Sequence, residues 1–276
     1  MKLISLHSHK GGCGKTTIAV LLATIYARQG KKICLLDLDL PAPSIQYSVK
    51  VESKEFINTY FADLTGREQR KKNIPDYIAV HRENDLEMHF ILANPEREAI
   101  ERSNQNITLD LETDVMKDRI EEILEYMKNN NYDYCILDLH PGFYALSKTV
   151  IQSINTSGSI ILVSTLDRSH VEGTLRIKGD LQGKIFCVDQ KRIFLCMNRL
   201  YSINQLVEKI EQDVKKDKLI PSARLLWSAA NIGELYGISE VQKFSEIAKI
   251  GGPGLKPSLI DIKLEPQLIK LSEDIG

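Results

Sequence analysis

The sequence predicts an α/β protein, a doubly wound and mostly parallel sheet with helices on both faces, in a single domain over residues 1–276. Three observations carry this. Four runs, Ile33–Leu36, Tyr134–Leu137, Ile160–Val163 and Ile193–Met197, are apolar without interruption. Such runs mark strands buried on both faces of a parallel sheet. Helical patterns alternate with the runs, which implies βαβ units. A glycine-rich turn, His9 to Gly14, joins the first β-like run to the first helix.

The elements follow in order. Leu3–His7 is the first β-like run. Thr16–Arg28 reads as a helix apolar nearly all round (Ile18, Val20, Leu21, Leu22, Ile25), hence a buried one, with Gly30 as its C-terminal cap. Ile33–Leu36 leads into Asp37-Leu38-Asp39. Residues 40 to about 85 carry weaker signals, of which Glu52–Leu64 fits a helix and Gly66–Asn73 a polar connection. Leu86–Leu92 reads as a strand, and Asn94–Asp110 as a loop with a short helix. Glu112–Asn129 is an amphipathic helix with Met116, Ile120, Ile123 and Met127 on one face. The strand Tyr134–Leu137 ends at Asp138. The last ~40 residues carry no clear pattern.

Composition narrows the function classes. The chain has 276 residues, 43% hydrophobic and 26% charged, with a net charge of -1. That balance does not point to nucleic acid, although a local basic patch remains open. The five cysteines include no CxxC pair, and Cys34, Cys135 and Cys196 sit inside apolar runs. Reduced core thiols in a cytoplasmic protein are the expectation. No signal peptide and no membrane-spanning stretch are visible.

The segment His9-Lys10-Gly11-Gly12-Cys13-Gly14-Lys15-Thr16-Thr17 is a phosphate-binding loop. Glycines let backbone N–H groups approach phosphate oxygens, and the following helix adds its positive end. Gly11, Gly12 and Gly14 meet that need, Lys15 reaches the β- and γ-phosphates, and the Thr16 hydroxyl binds Mg²⁺. The general pattern, G-x-x-x-x-G-K-[ST], has a glycine where this chain has His9. Lys10 is a second lysine outside that pattern. It is either a solvated charge or a cation directed at phosphates, of its own subunit or a neighbour's. Asp37 and Asp39 fall where ligands bind in a doubly wound sheet, at the carboxyl end of a strand. Solvated loop carboxylates are the alternative. Four apolar residues followed by Asp138 match a Walker B strand, whose carboxylate holds a Mg²⁺-bound water.

Lys10-Gly11-Gly12-Cys13-Gly14-Lys15-Thr16-Thr17 resembles the deviant Walker A motif of the MinD/ParA family of P-loop ATPases. By motif order the resemblance covers roughly the first 200 residues. It implies ATP and Mg²⁺ as cofactors and a homodimer around two ATP molecules, with Lys10 reaching the partner's phosphates as an arginine finger does. It further implies that Asp39 orients the attacking water and that Asp37 supports the Mg²⁺ shell. Lys10, Lys15 and Asp39 are thus the catalytic candidates, and Thr16, Asp37 and Asp138 the metal candidates. His140-Pro141-Gly142 falls at the family's second switch, where a glycine moves on loss of the γ-phosphate. His140 itself is expected to be a surface histidine. By the same resemblance Asn198 hydrogen-bonds the adenine edge. Arg199 stacks on the base. Pro221 belongs either to the base pocket or to a plain turn.

Relatives within that family are separable by sequence. No cysteine lies in Leu139–Gly142, where nitrogenase-type iron proteins hold a cluster, and none follows Cys196, where iron–sulfur scaffold ATPases carry CxxC. Glu265–Gly276 is not a basic amphipathic helix, so no membrane anchor of the MinD type is seen. The last tyrosine is Tyr236, which argues against a C-terminal tyrosine cluster. Leu40-Pro41-Ala42-Pro43-Ser44 departs from the ParA form at the first switch. The expectation is an ATPase switch in cellular positioning or partitioning, with an unidentified protein partner or activator. A nucleotide-responsive scaffold with little turnover is the alternative. Basic residues at 176, 178, 191, 192, 199, 209, 215, 216 and 218 make DNA a possible partner or form a solvated helix face.

Overall fold

One eight-stranded sheet organises the chain. A computed structural model describes residues 1–49, 51–62, 73–83, 86–101, 113–154, 157–165, 167–200, 235–239 and 266–275. The strands are β1 Lys2–His7, β2 Ile33–Leu38, β3 Ile78–Glu83, β4 Leu86–Ile91, β5 Tyr134–Leu139, β6 Ser159–Ser164, β7 Ile193–Leu200 and β8 Leu235–Ser239. Their order across the sheet is β3-β4-β2-β5-β1-β6-β7-β8. Among the described residues only the β3–β4 pair is antiparallel. The helices are α1 Lys15–Arg28, α2 Ile45–Ser48, α3 Ile57–Ala62, α4 Thr113–Asn129, α5 Ala145–Ile154, α6 Arg168–Gln182 and α7 Pro266–Ile275.

The predicted strands are all present, and the reason for their unbroken apolar character is visible. Leu35, Ile136 and Ile161 join a core with α1 and α7 on one face. Cys34, Leu36, Leu137 and Leu162 join a second core with α4, α5 and α6 on the other. α1 is buried on nearly every side, from Ile18 to Ala27. It ends as expected at Gly30, whose φ is 72°. The Gly30 N–H donates to Ala27 O at 2.9 Å and the Lys31 N–H to Tyr26 O at 3.0 Å, a Schellman closure that only a left-handed residue completes at no cost. Met116, Ile120, Ile123 and Met127 form the buried face of α4.

Three differences from the sequence reading have physical causes. The helix expected over Glu52–Leu64 begins only at Ile57, whose N–H is held by the Leu92 carbonyl at 2.9 Å. β3 was not foreseen: it is an edge strand with one buried face (Ala79 in, Val80 out), tied to β4 by the Arg82–Glu87 pair at 2.7 Å. α7 docks on α1, where the Tyr26 hydroxyl donates to Ser272 O at 3.0 Å. Among the described residues no helix is long and apolar enough to cross a membrane.

β1 lies at the centre, between β5 and β6. The chain leaves it towards β2 on one side and returns to β6 on the other. The loop after β1 therefore occupies the switch point where such sheets bind ligands.

Candidate functional site

The loop after β1 walls a cleft of about 620 Å³ at the carboxyl ends of β1, β2 and β5. Ser8 to Thr16 form one side, and Asp39, Ser44 and His140–Gly142 the other. Gly12 and Gly14 have φ of 80° and 86°, in the left-handed region that glycine adopts freely. Gly14 caps α1 with no side-chain partner on the first helical N–H groups, so these are left for an anion at the cleft. Gly11 and Gly12 are exposed, and Thr17 is half-buried on α1.

Two rungs of the sheet place the acidic groups. Asp37 pairs in register with Asp138 and Leu38 with Leu139, so Asp39 and His140 follow as the next pair. Lys15 Nζ donates to Asp138 Oδ1 at 2.9 Å and lies 3.6 Å from Asp39 Oδ2. The Thr16 hydroxyl donates to Asp138 Oδ2 at 2.5 Å and meets the Ser44 hydroxyl at 2.8 Å. Asp37 accepts the Asp39, Ser44 and Ile45 N–H groups, each at 3.2 Å. It thereby shapes the turn that carries Asp39 and Ser44.

The charges do not balance. Among the described residues Asp37, Asp39 and Asp138 are all buried against the one Lys15 ammonium. Burial, then the Asp138 charge, pushes the Asp37 carboxyl well above its usual range. Burial also pushes Asp138 up, against the pull of Lys15. For Lys15 itself burial opposes the charge, but Asp138 and Asp39 outweigh it and hold the ammonium above its ordinary value. Beneath the loop His7 stays neutral, because burial and then Lys15 push it down to about 3. The excess of buried carboxylate, with the Thr16 and Ser44 hydroxyls alongside, fits a hard divalent cation. Among the described residues no cluster of three acidic, histidine or cysteine side chains could hold a metal alone. Mg²⁺ does not need one, since it takes few protein ligands and completes its shell with phosphate and water.

The other side of the loop holds no carboxylate against it among the described residues. His9 packs against Gly173 on α6, so closely that a Cβ there would lie 2.0 Å from its ring. Lys10 is exposed and donates to the Ser169 hydroxyl at 3.2 Å. Asn198 Nδ2 donates to the carbonyl of the buried Cys13 at 2.8 Å, across the loop from the cleft lining. The structure thus gives Asn198 a loop-bracing contact. Arg199 lies on β7 with its side chain outside the described residues, and Pro221 lies outside them altogether.

His140 is corrected. It is not a free surface histidine: its Nδ1 meets Asp39 Oδ1 at 2.5 Å. The signal was present, since Asp138-Leu139-His140 repeats the spacing of Asp37-Leu38-Asp39, but only the register makes the two segments a pair. Of the basic residues weighed for DNA, Lys178 is buried and Arg192 donates to the Ile154 and Gly158 carbonyls. Arg176 and Lys191 are exposed, and residues 209, 215, 216 and 218 lie outside the described residues.

A family model described as an AAA domain matches residues 1–185. Among curated proteins the chain is similar to a cytosolic Fe-S cluster assembly factor, the NUBP2 homolog of Culex quinquefasciatus. The two are 27% identical over 168 residues, 59% of this chain and 57% of that protein. The chain thus spans little more than half the length of that relative. Among solved structures it superposes on the Pyrococcus furiosus cell division ATPase MinD, with a TM-score of 0.67 and 18% identity, covering 99% of this chain and 98% of that one. It also superposes on the septum site-determining protein MinD of Pyrococcus horikoshii complexed with Mg-ADP. There the TM-score is 0.65 and the identity 18%, over 99% of this chain and 95% of that one.

Proposed function

The chain belongs to the AAA-domain family, within the MinD/ParA group of P-loop ATPases, and from that premise we propose that it is a Mg²⁺-dependent ATP-hydrolysing switch that dimerises around ATP. The observation that carries this is Lys15, held between Asp138 and Asp39 at the base of the glycine loop. A lysine kept charged there exchanges carboxylate for phosphate oxygens when a triphosphate enters. The α1 N–H groups take the remaining phosphate oxygens. Thr16, Asp138 and Asp37 hold the cation side. Bound Mg²⁺ would neutralise charge on the β- and γ-phosphates. Asp39 orients the attacking water. Lys10 leaves Ser169 and adds its charge to the partner subunit's phosphates. Asn198, Arg199 and Pro221 form the base side, with Asn198 also bracing the loop.

A role in cellular positioning or partitioning, in a single domain over 1–276, completes this reading. The exposed Tyr47 on α2 and Tyr144 after β5, 64% and 51% accessible, support a partner face on the segments that sense nucleotide. The second reading is a nucleotide-responsive scaffold or regulatory binding protein with little turnover; the names of the curated relatives, an Fe-S cluster assembly factor and an iron-sulfur cluster carrier protein, support its scaffold form. The cysteines favour the first reading. Cys13, Cys34, Cys135 and Cys196 are buried and only Cys187 is exposed. Burial pushes the Cys135 thiol up to about 12, far from a ready cluster ligand.

Phosphate release by wild type and Asp39→Ala separates the readings. The expected loss is roughly 10²–10³-fold. Asp39→Ala should also sediment as a lasting dimer with ATP and Mg²⁺. Equal background release from both proteins would abandon the ATPase in favour of the scaffold.

A further inference from the structure

Asp39 is held at both oxygens. Its Oδ2 faces Lys15 at 3.6 Å, and its Oδ1 meets His140 Nδ1 at 2.5 Å. These holders differ in what nucleotide does to them. Lys15 is the group that turns to phosphate, so its grip on Asp39 weakens when the site fills. His140 then remains.

His140 is itself fixed from several directions. Its carbonyl accepts the Ser147 hydroxyl at 3.3 Å, from the first turn of α5. The Tyr144 ring packs edge-on against the imidazole, with centroids 4.2 Å apart at 85°. Two residues on, the Gly142 N–H donates to Ser8 O at 2.9 Å, tying the same segment to the start of the glycine loop. The pair continues the register of β2 and β5, so both backbones are set by the sheet. A neutral imidazole with the proton on Nδ1 suffices as donor to the carboxylate.

We propose that His140 is a positioning residue that holds the Asp39 carboxylate in place for the attacking water after Lys15 has turned to the nucleotide. The proposal rests on the ATPase reading. It also joins the two segments beside the cleft, after β2 and after β5, through one side-chain bond. His140 touches Asp39 and not the reacting atoms, so its removal acts on turnover rather than on ATP capture.

The test is steady-state ATP hydrolysis with Mg²⁺ by wild type, His140→Ala, His140→Asn and His140→Gln, with folding followed by thermal melting. His140→Ala should lower kcat roughly 10–100-fold, the scale of a misplaced catalytic group, with KM within about threefold. His140→Asn places an amide nitrogen near the Nδ1 position and should recover most of the loss; His140→Gln should not. In an Asp39→Ala background, His140→Ala should cost nothing more. An unchanged kcat, a loss confined to KM, or a full further loss in the Asp39→Ala background would overturn the proposal. So would failure of a folded His140→Asn protein to recover. Wild type without Asp39-dependent hydrolysis would remove the ATPase reading and this proposal with it. Active wild type beside an unaffected His140→Ala removes this proposal alone.

Discussion

On its β2 and β5 side the glycine loop faces three buried carboxylates and His140, with Asp39 and Asp138 joined through Lys15, and Thr16 on Asp138. On its α6 and β7 side it meets His9 against Gly173, Lys10 against Ser169, and the Asn198 amide against Cys13. The first side is held by charge that exceeds its neutralisation. Its contacts can be exchanged for phosphate and a divalent cation, and that exchange is what a switch requires. The second side is held by the close packing of His9 on Gly173 and the neutral Asn198–Cys13 hydrogen bond, which no ligand charge competes for; Lys10, exposed on Ser169, is its one contact that a phosphate could draw away. Lys10 apart, the first side therefore carries chemistry and the second carries the shape of the loop. Substitutions should separate along that line, turnover on the first side and stability on the second.

The largest effect belongs to Lys15→Ala. It removes the only ammonium that meets Asp39 and Asp138 among the described residues, and the group assigned to the phosphates. Single-turnover phosphate release should fall roughly 10²–10³-fold. Residual turnover within tenfold of wild type would mean that phosphate charge is neutralised elsewhere, and the division between the two sides would fail.

Gly14→Ala comes next and tests the packed side. Gly14 has φ 86°, and a Cβ there would lie 2.1 Å from Asn198 Nδ2. The backbone conformation costs about 1–2 kcal/mol for a non-glycine residue, and the overpacking about 1–3 kcal/mol more. Adding Asn198→Ala should recover the second cost and leave the first. Equal losses with and without Asn198, read by denaturation, would show that the amide does not brace the loop.

What the sequence disclosed follows the same division. The charged side was legible because its residues fall in short motifs, Lys15-Thr16 and the D-x-D after an apolar run, whose chemistry is local. The sheet was legible because strands buried on both faces leave an unbroken apolar record. β3 left none, being an edge strand with one buried face. His140 was misread because its partner, Asp39, is 101 residues away and only strand register joins them. Ser169 and Gly173 were invisible as loop contacts for the same reason: helix residues carry no mark of a neighbour some 160 positions earlier.

His9 and Gly173 give the smallest effect and the sharpest sign. His9 stands where the general motif has glycine, and its ring occupies the space a side chain at Gly173 would need. Glycine within a helix is otherwise destabilising by about 0.5–1 kcal/mol relative to alanine, so α6 retains Gly173 at a cost that the His9 ring explains. In wild type, Gly173→Ala sets that gain against turning the ring off its rotamer, about 0.5–1.5 kcal/mol. The sum should be near zero or destabilising. In a His9→Gly background the ring is gone, and Gly173→Ala should stabilise by about 0.5–1 kcal/mol. Thermal melting of the four proteins reads the sign change directly. The same sign in both backgrounds would mean that the ring and α6 are not in contact in solution, and that the packed side of the loop is looser than its geometry implies.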